Sequence, residues 1–233
     1  IRLVETADLV EDLRAIKDRD EVRAIRRSIA LTREVFGATM ARIKPGASEE
    51  AIARSIELAF LRRGARPSFS SIVASGANTS KPHSRPGPAK IRANGFAMID
   101  IGCERDGYAS DMTRMLITGR VNRRFRAIYG IVQAAQELAI AAVRPGAPIA
   151  AIDRAAREHI ERCGYGKYFT HSLGHGVGLE VHEKPNISPH AAGALKEGMV
   201  FTIEPAIYLE GFGGVRIEDM VLVTKHGCEV LTR

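Results

Sequence analysis

The sequence predicts an α+β protein built from two related halves, and two observations carry that expectation. The first is order. Two helical patterns followed by shorter strand-like apolar runs occur once before residue 120 and again after it. The second is identity. When residues 43–64 are set against 143–164, Pro45/Pro145, Gly46/Gly146, Ala47/Ala147, Ala51/Ala151, Ile52/Ile152, Arg54/Arg154, Arg62/Arg162 and Gly64/Gly164 match, eight positions in 22. One repeat at so long a period argues for two fused halves and against a solenoid.

The elements follow in order. Residues 1–19 mix charge and aliphatics without a clean period and read as a linker from an N-terminal domain that the chain lacks. A single domain is expected over 20–233, with halves at about 20–120 and 121–233. From about Asp20, Val22, Ile25, Ile29, Phe36, Met40 and Ile43 recur at helical steps until Pro45-Gly46. Ser48 ahead of Glu49 and Glu50 is an N-cap with acids in the first turn, where the helix dipole favours them. That second helix buries Ile52, Ile56 and Phe60 and stops at Gly64. Apolar runs near 69–74 and 96–101 flank a Pro/Gly/Ser-rich loop containing His83, and residues 112–118 alternate like a strand. In the second half Asn122 caps a helix through Phe125, Ile128, Val132, Leu138 and Ala142. Another helix runs from about Pro148 to Cys163, followed by a Gly- and His-rich stretch and apolar runs at 200–207 and 215–223.

Composition narrows the class. The 233 residues are 45% hydrophobic and 26% charged, as in ordinary globular proteins, and no apolar run reaches the ~18 residues of a membrane span. Cys103, Cys163 and Cys228 lie 60 and 65 residues apart, which excludes a disulfide scaffold and a Cys-type zinc finger and fits a reducing cytoplasm. The 34 Lys+Arg against 27 Asp+Glu leave +7, which by itself suggests a polyanionic partner. Yet no Lys/Arg run exceeds a doublet, and Arg123-Arg124-Phe125-Arg126 falls at a helix start. Neither a nucleic-acid nor a membrane partner is expected.

The chemistry lies in the acids and histidines. The apolar runs 95–99 and 199–203 each end in a carboxylate, Asp100 and Glu204. Asp111 follows the first by 11 residues and Glu218 follows the second by 14, both in or beside strand-like runs. Unpaired charges on apolar strands are costly, and four of them converging would repel. A divalent-metal site explains them together. Five of the seven histidines fall between His159 and His190. His171 and His175 have the spacing of a helical zinc pair, but Gly174, Gly176 and Gly178 argue against a helix there. Glycines beside a histidine permit the close backbone approach that a crowded site needs. His159, His190 and His226 read as ordinary surface or core residues.

At Asp100, Asp111, His175, Glu204 and Glu218 the sequence resembles the pita-bread metallopeptidases, which include methionine aminopeptidase, Xaa-Pro aminopeptidase and prolidase, with creatinase as a metal-free relative. The likeness runs from about Leu13 to Val230. The segments around Asp100, Asp111-Met112-Thr113-Arg114, Gly174-His175-Gly176-Val177-Gly178, Glu204-Pro205 and Arg216-Ile217-Glu218-Asp219 resemble the proline-specific branch most closely, as does Lys81-Pro82-His83. The resemblance implies helices on antiparallel sheet in two pseudo-symmetric halves. It implies two divalent ions, one held by Asp100, the other by His175 and Glu204, with Asp111 and Glu218 bridging. Four carboxylates and one imidazole form a hard donor set that suits Mn²⁺, accommodates Co²⁺ or Fe²⁺, and suits Zn²⁺ less.

Two cations ~3.5–4 Å apart activate a water between them. By the same resemblance Glu204 accepts its proton, His83, His171 and His182 orient substrate and stabilise the oxyanion, and Arg216 anchors a carboxylate or the acid network. Thr113 and Thr202 would orient ligands. The implied substrate is a small peptide with proline second, and the full-length protein is expected to be a cytoplasmic homodimer. Methionine aminopeptidase and a metal-dependent non-peptide C–N hydrolase of the creatinase or ectoine-hydrolase type are the alternatives. A binding-only module is disfavoured because all five ligand positions are present.

Overall fold

The computed structural model describes residues 6–233. Of the stretch read as a linker, residues 1–5 lie outside the described residues. The remainder carries a short helix, α1 (Leu9–Arg14), which the sequence patterning did not announce. The first half continues with α2 (Arg19–Met40), α3 (Glu49–Leu61), β1 (Arg66–Pro67), β2 (Ile72–Ser75), a 3₁₀ turn at Gly76–Ser80, β3 (Gly95–Ile101), β4 (Cys103–Arg105), β5 (Tyr108–Ala109) and β6 (Met112–Thr118). The second half contains α4 (Arg123–Ala142), α5 (Ile149–Arg162), a 3₁₀ turn at Gly166–Tyr168, β7 (Gly174–Gly176), β8 (Glu183–Ile187), β9 (Val200–Ile203), β10 (Ala206–Leu209), β11 (Gly213–Arg216), β12 (Asp219–Thr224) and β13 (Gly227–Val230). Among the described residues no helix is long and apolar enough to cross a membrane.

Local chemistry starts the helices where expected. Ser48 accepts from the Ala51 amide and Asn122 from the Phe125 amide, while Asp18 and Glu21 form a reciprocal capping box at α2. Gly46, Gly64, Gly146 and Gly164 all have positive φ, the conformation glycine adopts without the steric cost of a Cβ.

The repeat is also a repeat of hydrogen bonds. Gly46 N to Ile91 O and Ile91 N to Ala47 O in the first half recur as Gly146 N to Leu195 O and Leu195 N to Ala147 O in the second. Glu49 N to Ala89 O likewise recurs as Ile149 N to Gly193 O. The helical side is therefore offset by 100 residues and the strand side by 104, the same interval that separates Asp100 from Glu204.

All strand pairs are antiparallel. The first half has sheets ordered β2-β3-β6 and β1-β4-β5; the second has β13-β12-β9-β7-β8 and the hairpin β10-β11. Each half has its own core: Ile52, Ile56 and Phe60 of α3 lie under β2 and β3, and Phe125, Ile128 and Val132 of α4 lie under β9–β12. Ile25 and Ile29 of α2 pack with Val177, Val200 and Met220 of the second half and so join the two.

Three details differ from the sequence reading. Leu138 is 43% exposed, and Ala135 and Ala139 occupy the buried stripe in its place, because tight packing of α4 on α5 favours small side chains there. Along α2, Val22, Phe36 and Met40 are only half-buried, while Leu31, Thr32 and Val35 are buried. The apolar runs 200–207 and 215–223 are each two strands, broken at Glu204-Pro205 and at Ile217-Glu218. Pro205 has no N–H to continue a ladder, and the chain changes sheets at both breaks.

Candidate metal centre

Those breaks put acids where the halves meet. Asp100 projects from β3, Asp111 precedes β6, Glu204 follows β9, Glu218 links β11 to β12, and His175 is the middle residue of β7. Backbone bonds hold the two acids at the breaks, with Glu204 N donating to Leu173 O at 2.8 Å and Glu218 N to Thr113 O at 3.3 Å. His175 comes close because its neighbours are glycines. A Cβ on Gly174 would sit 1.9 Å from Thr202 O, and one on Gly176 would sit 2.0 Å from Lys184 O. One cavity of about 520 Å³ is lined by these five residues together with His83, His171, His182 and Arg216, so all nine residues singled out in the sequence meet. His159, His190 and His226 are not among its lining residues.

Ligand atoms of Asp111, His175 and Glu218 all lie within 4.8 Å of one another. His175 Nε2 is 3.3 Å from Glu204 Oε1 and 3.6 Å from Asp111 Oδ2. Thr202 Oγ1 accepts from His175 N at 3.1 Å and donates to Glu204 Oε1 at 3.2 Å. Thr113 Oγ1 donates to Glu218 Oε2 at 2.6 Å and accepts from Arg216 Nε at 3.1 Å. Arg216, itself buried, donates to Asp100 Oδ2 at 2.5 Å, Tyr208 Oη at 2.6 Å and Pro82 O at 3.1 Å.

This crowding sets the protonation. Burial, then the charges of Glu218, Asp100 and Glu204, pushes Asp111 well up. Burial and the charges of Glu204 and Asp100 push Glu218 to about 8. Burial also raises Asp100, against the pull of Arg216. Glu204 goes the other way. Its burial is outweighed by the hydrogen bond and charge of His175, with help from Arg216, and it is held at about 2. One guanidinium and one imidazole do not compensate four closely grouped carboxylates, three of them buried. The protein alone therefore holds some of these acids as neutral groups, which is the electrostatic signature of a place for cations.

The three substrate-histidine candidates divide. His171 has both ring nitrogens engaged, Nδ1 with Ser172 O at 2.7 Å and Nε2 with Tyr208 Oη at 3.1 Å. His182 stands edge-on to the His175 ring at a centroid distance of 4.1 Å, and burial lowers its pKa. Among the described residues neither His182 nor His83 has a hydrogen-bond partner for its ring, so both are free to meet a ligand. Sequence reasoning missed Tyr208, which links His171 to Arg216. The available signal was a hydroxyl in an otherwise apolar run four residues after Glu204. It also missed Ser71, a buried cavity residue whose Oγ has no partner among the described residues.

The model of metallopeptidase family M24 matches residues 23–225. The chain belongs to that family. The M24 relatives include the Xaa-Pro dipeptidases of Pyrococcus furiosus, 42% identical over 227 residues, and Pyrococcus horikoshii, 40% identical over 227. Each alignment covers 97% of this chain and 65% of the relative, so the chain spans about two thirds of their length. Among solved structures, the prolidase from Pyrococcus furiosus superimposes with a TM-score of 0.94 at 42% identity, covering 97% of this chain and 67% of that one. The X-Pro aminopeptidase from Thermotoga maritima MSB8 does so at 0.95 and 38%, covering 98% and 65%. The expected α+β pita-bread fold is thereby borne out.

M24 membership implies divalent metal ions, and the site fits them. Asp100 Oδ1 is buried with no hydrogen-bond partner among the described residues, an orphan acceptor that a cation would satisfy. The remaining donors are carboxylate oxygens and one imidazole, the hard set such ions take.

Proposed function

We propose that this domain is the catalytic part of a dinuclear metallopeptidase that hydrolyses the bond between an N-terminal residue and a following proline. The observation that carries the reading is three buried carboxylates, the half-buried Glu204 and His175 around one cavity, with a single arginine to balance them. In this reading Asp100, Asp111, His175, Glu204 and Glu218 would hold two divalent ions, with Mn²⁺ the preferred metal. Bound cations supply Lewis acidity and lower the pKa of water.

The chain's own residues do the rest. Glu204, kept ionised by His175 and Arg216, takes a proton at its carboxylate and returns it to the leaving nitrogen. His83 and His182 present ring nitrogens to the peptide and to the developing oxyanion. His171 fixes the Tyr208 hydroxyl, and Arg216 holds Asp100 while Thr113 fixes Glu218, so the ligands are oriented before substrate arrives. The names of the relatives support a proline-specific substrate, and the two Pyrococcus Xaa-Pro dipeptidases, at 42% and 40% identity, favour a dipeptide. A homodimer of the full-length protein in the cytoplasm belongs to the same proposal.

The test is a product assay on this chain with added Mn²⁺, offering an Xaa-Pro dipeptide, an Xaa-Pro-Xaa tripeptide and a Met-Ala-Ser peptide in parallel. Cleavage at Xaa-Pro is expected. Cleavage of Met-Ala-Ser alone would replace the reading with a methionine aminopeptidase, and cleavage of none would favour a non-peptide C–N hydrolase.

A further inference from the structure

Each half seals one carboxylate outside the metal centre into its second helix. Glu49 in α3 and Asp153 in α5 are both 0% exposed, and neither lines the catalytic cavity. They are not equivalent in the repeat, since Glu49 aligns with Ile149 and Asp153 with Ala53. Both nonetheless grip a segment that carries a cavity histidine. Asp153 takes Arg157 Nε at 2.7 Å and Leu173 N at 3.0 Å, while Arg157 reaches His171 O at 2.8 Å.

Glu49 is the less expected of the two, because among the described residues it has no cation. Its Oε1 accepts from Ser75 N at 2.6 Å, Ser75 Oγ at 2.8 Å and Asn78 Nδ2 at 3.0 Å, and its Oε2 accepts from Gly87 N at 3.1 Å. A buried carboxylate is expensive unless fully hydrogen-bonded. Here the bonds tie residues 75–78 to residue 87, the two feet of the strap that carries Pro82 and His83. Between those feet, residues 81–87 form neither helix nor strand. The Pro82 carbonyl accepts from Arg216 at 3.1 Å, so the strap touches the metal centre directly. The His83 ring has no hydrogen bond of its own, and its position follows the strap's.

We propose that Glu49 is a positioning residue: its carboxylate clasps both feet of the 75–87 strap and so fixes His83 over the catalytic cavity. The kinetic consequence rests on the reading that His83 meets the substrate.

Glu49→Gln keeps the size but replaces one acceptor oxygen with a donor, which loosens one foot; at the Gly87 foot the backbone bond from Glu50 N to Gly87 O at 3.1 Å remains. Asn78→Ala removes a single bond and serves if the first variant fails to fold. In the full chain loaded with Mn²⁺, amide exchange over residues 75–90 should rise. The His83 imidazole resonance, assigned with His83→Ala and read with diamagnetic Zn²⁺ in place of paramagnetic Mn²⁺, should move while His159, His190 and His226 stay. Against an Xaa-Pro dipeptide, kcat/KM should fall about tenfold in Glu49→Gln and less in Asn78→Ala, with bound Mn²⁺ unchanged. In the His83→Ala background the same substitution should cost nothing further. An unmoved His83 resonance with unchanged exchange would overturn the proposal, as would an equal loss of kcat/KM in both backgrounds. If His83→Ala retains full kcat/KM, the substrate role of His83 fails instead, and the resonance and exchange still decide whether Glu49 positions it.

Discussion

Glu204 and Glu218 line the same cavity with opposite proton affinities, and the difference comes from partners a few ångströms away. Glu204 faces the His175 ring, while Glu218 faces other acids and keeps only the Thr113 hydroxyl. Glu204 is thus the acid that His175 and Arg216 keep ionised without a metal ion, which fits the proton-acceptor role proposed for it. In Glu204→Gln the side chain keeps its volume and its bond to Thr202, so the fold should survive while turnover drops about 10²–10⁴-fold. The check is steady-state kinetics alongside metal analysis and circular dichroism, and a variant with normal turnover would remove Glu204 from the mechanism. At this scale the sequence was most legible for charged residues. A carboxylate ending an apolar run is conspicuous because burying it needs a reason. Tyr208 and Ser71 were not legible, because a hydroxyl in an apolar run is common and its role depends on Arg216, His171 and the cavity wall, all distant in sequence.

Between β7 and β9 the backbones approach so closely that residue type is decided by space. A methyl at Gly174 would lie 1.9 Å from the Thr202 carbonyl oxygen, which is backbone and cannot step aside without opening the sheet. Gly46 presents the contrasting case, with a φ of 97° and nothing within 4 Å of an added Cβ. Gly174→Ala should therefore cost about 3 kcal/mol or more and disturb His175, whereas Gly46→Ala should cost about 1 kcal/mol from backbone strain alone. Urea unfolding of both variants beside the wild type checks the order, and equal losses would contradict the packing argument. Helices with their caps, such as α3 behind Ser48 and α4 behind Asn122, were readable because the signals are local. The strands were readable only as apolar runs. Nothing in the run 200–207 says that β9 joins one sheet and β10 another, since partner choice is made by β7, β12 and β11 far along the chain.

Across the whole molecule, the proposed metal centre lies where the halves meet: Asp100 and Asp111 come from one, His175, Glu204 and Glu218 from the other. Metal ions should therefore act as a clamp between halves, and removing them should cost more at high pH than at low. Asp111 and Glu218 are raised in the metal-free fold, Glu218 from 4.5 to about 8. Between those two values the folded chain holds protons that the unfolded chain has released, so its stability falls as pH rises, and the share from Glu218 is complete above about 8. Metal binding needs those acids ionised, so affinity rises over the same range. Burial lowers His171 and His182, which works in the opposite direction because a neutral buried imidazole favours folding above its unfolded pKa. That contribution accompanies both the stripped and the loaded protein and largely cancels between them. The Tm lost on exhaustive chelation should accordingly be larger at pH 8 than at pH 5, by several degrees for a domain of this size. Calorimetry of chelated and Mn²⁺-loaded protein at the two pH values gives the comparison. A loss that stayed constant or shrank with pH would mean that the buried acids are not where the ions bind, and that the halves are held by direct contacts such as the Ile25–Val200 packing and the Arg216–Asp100 and Thr113–Glu218 bonds.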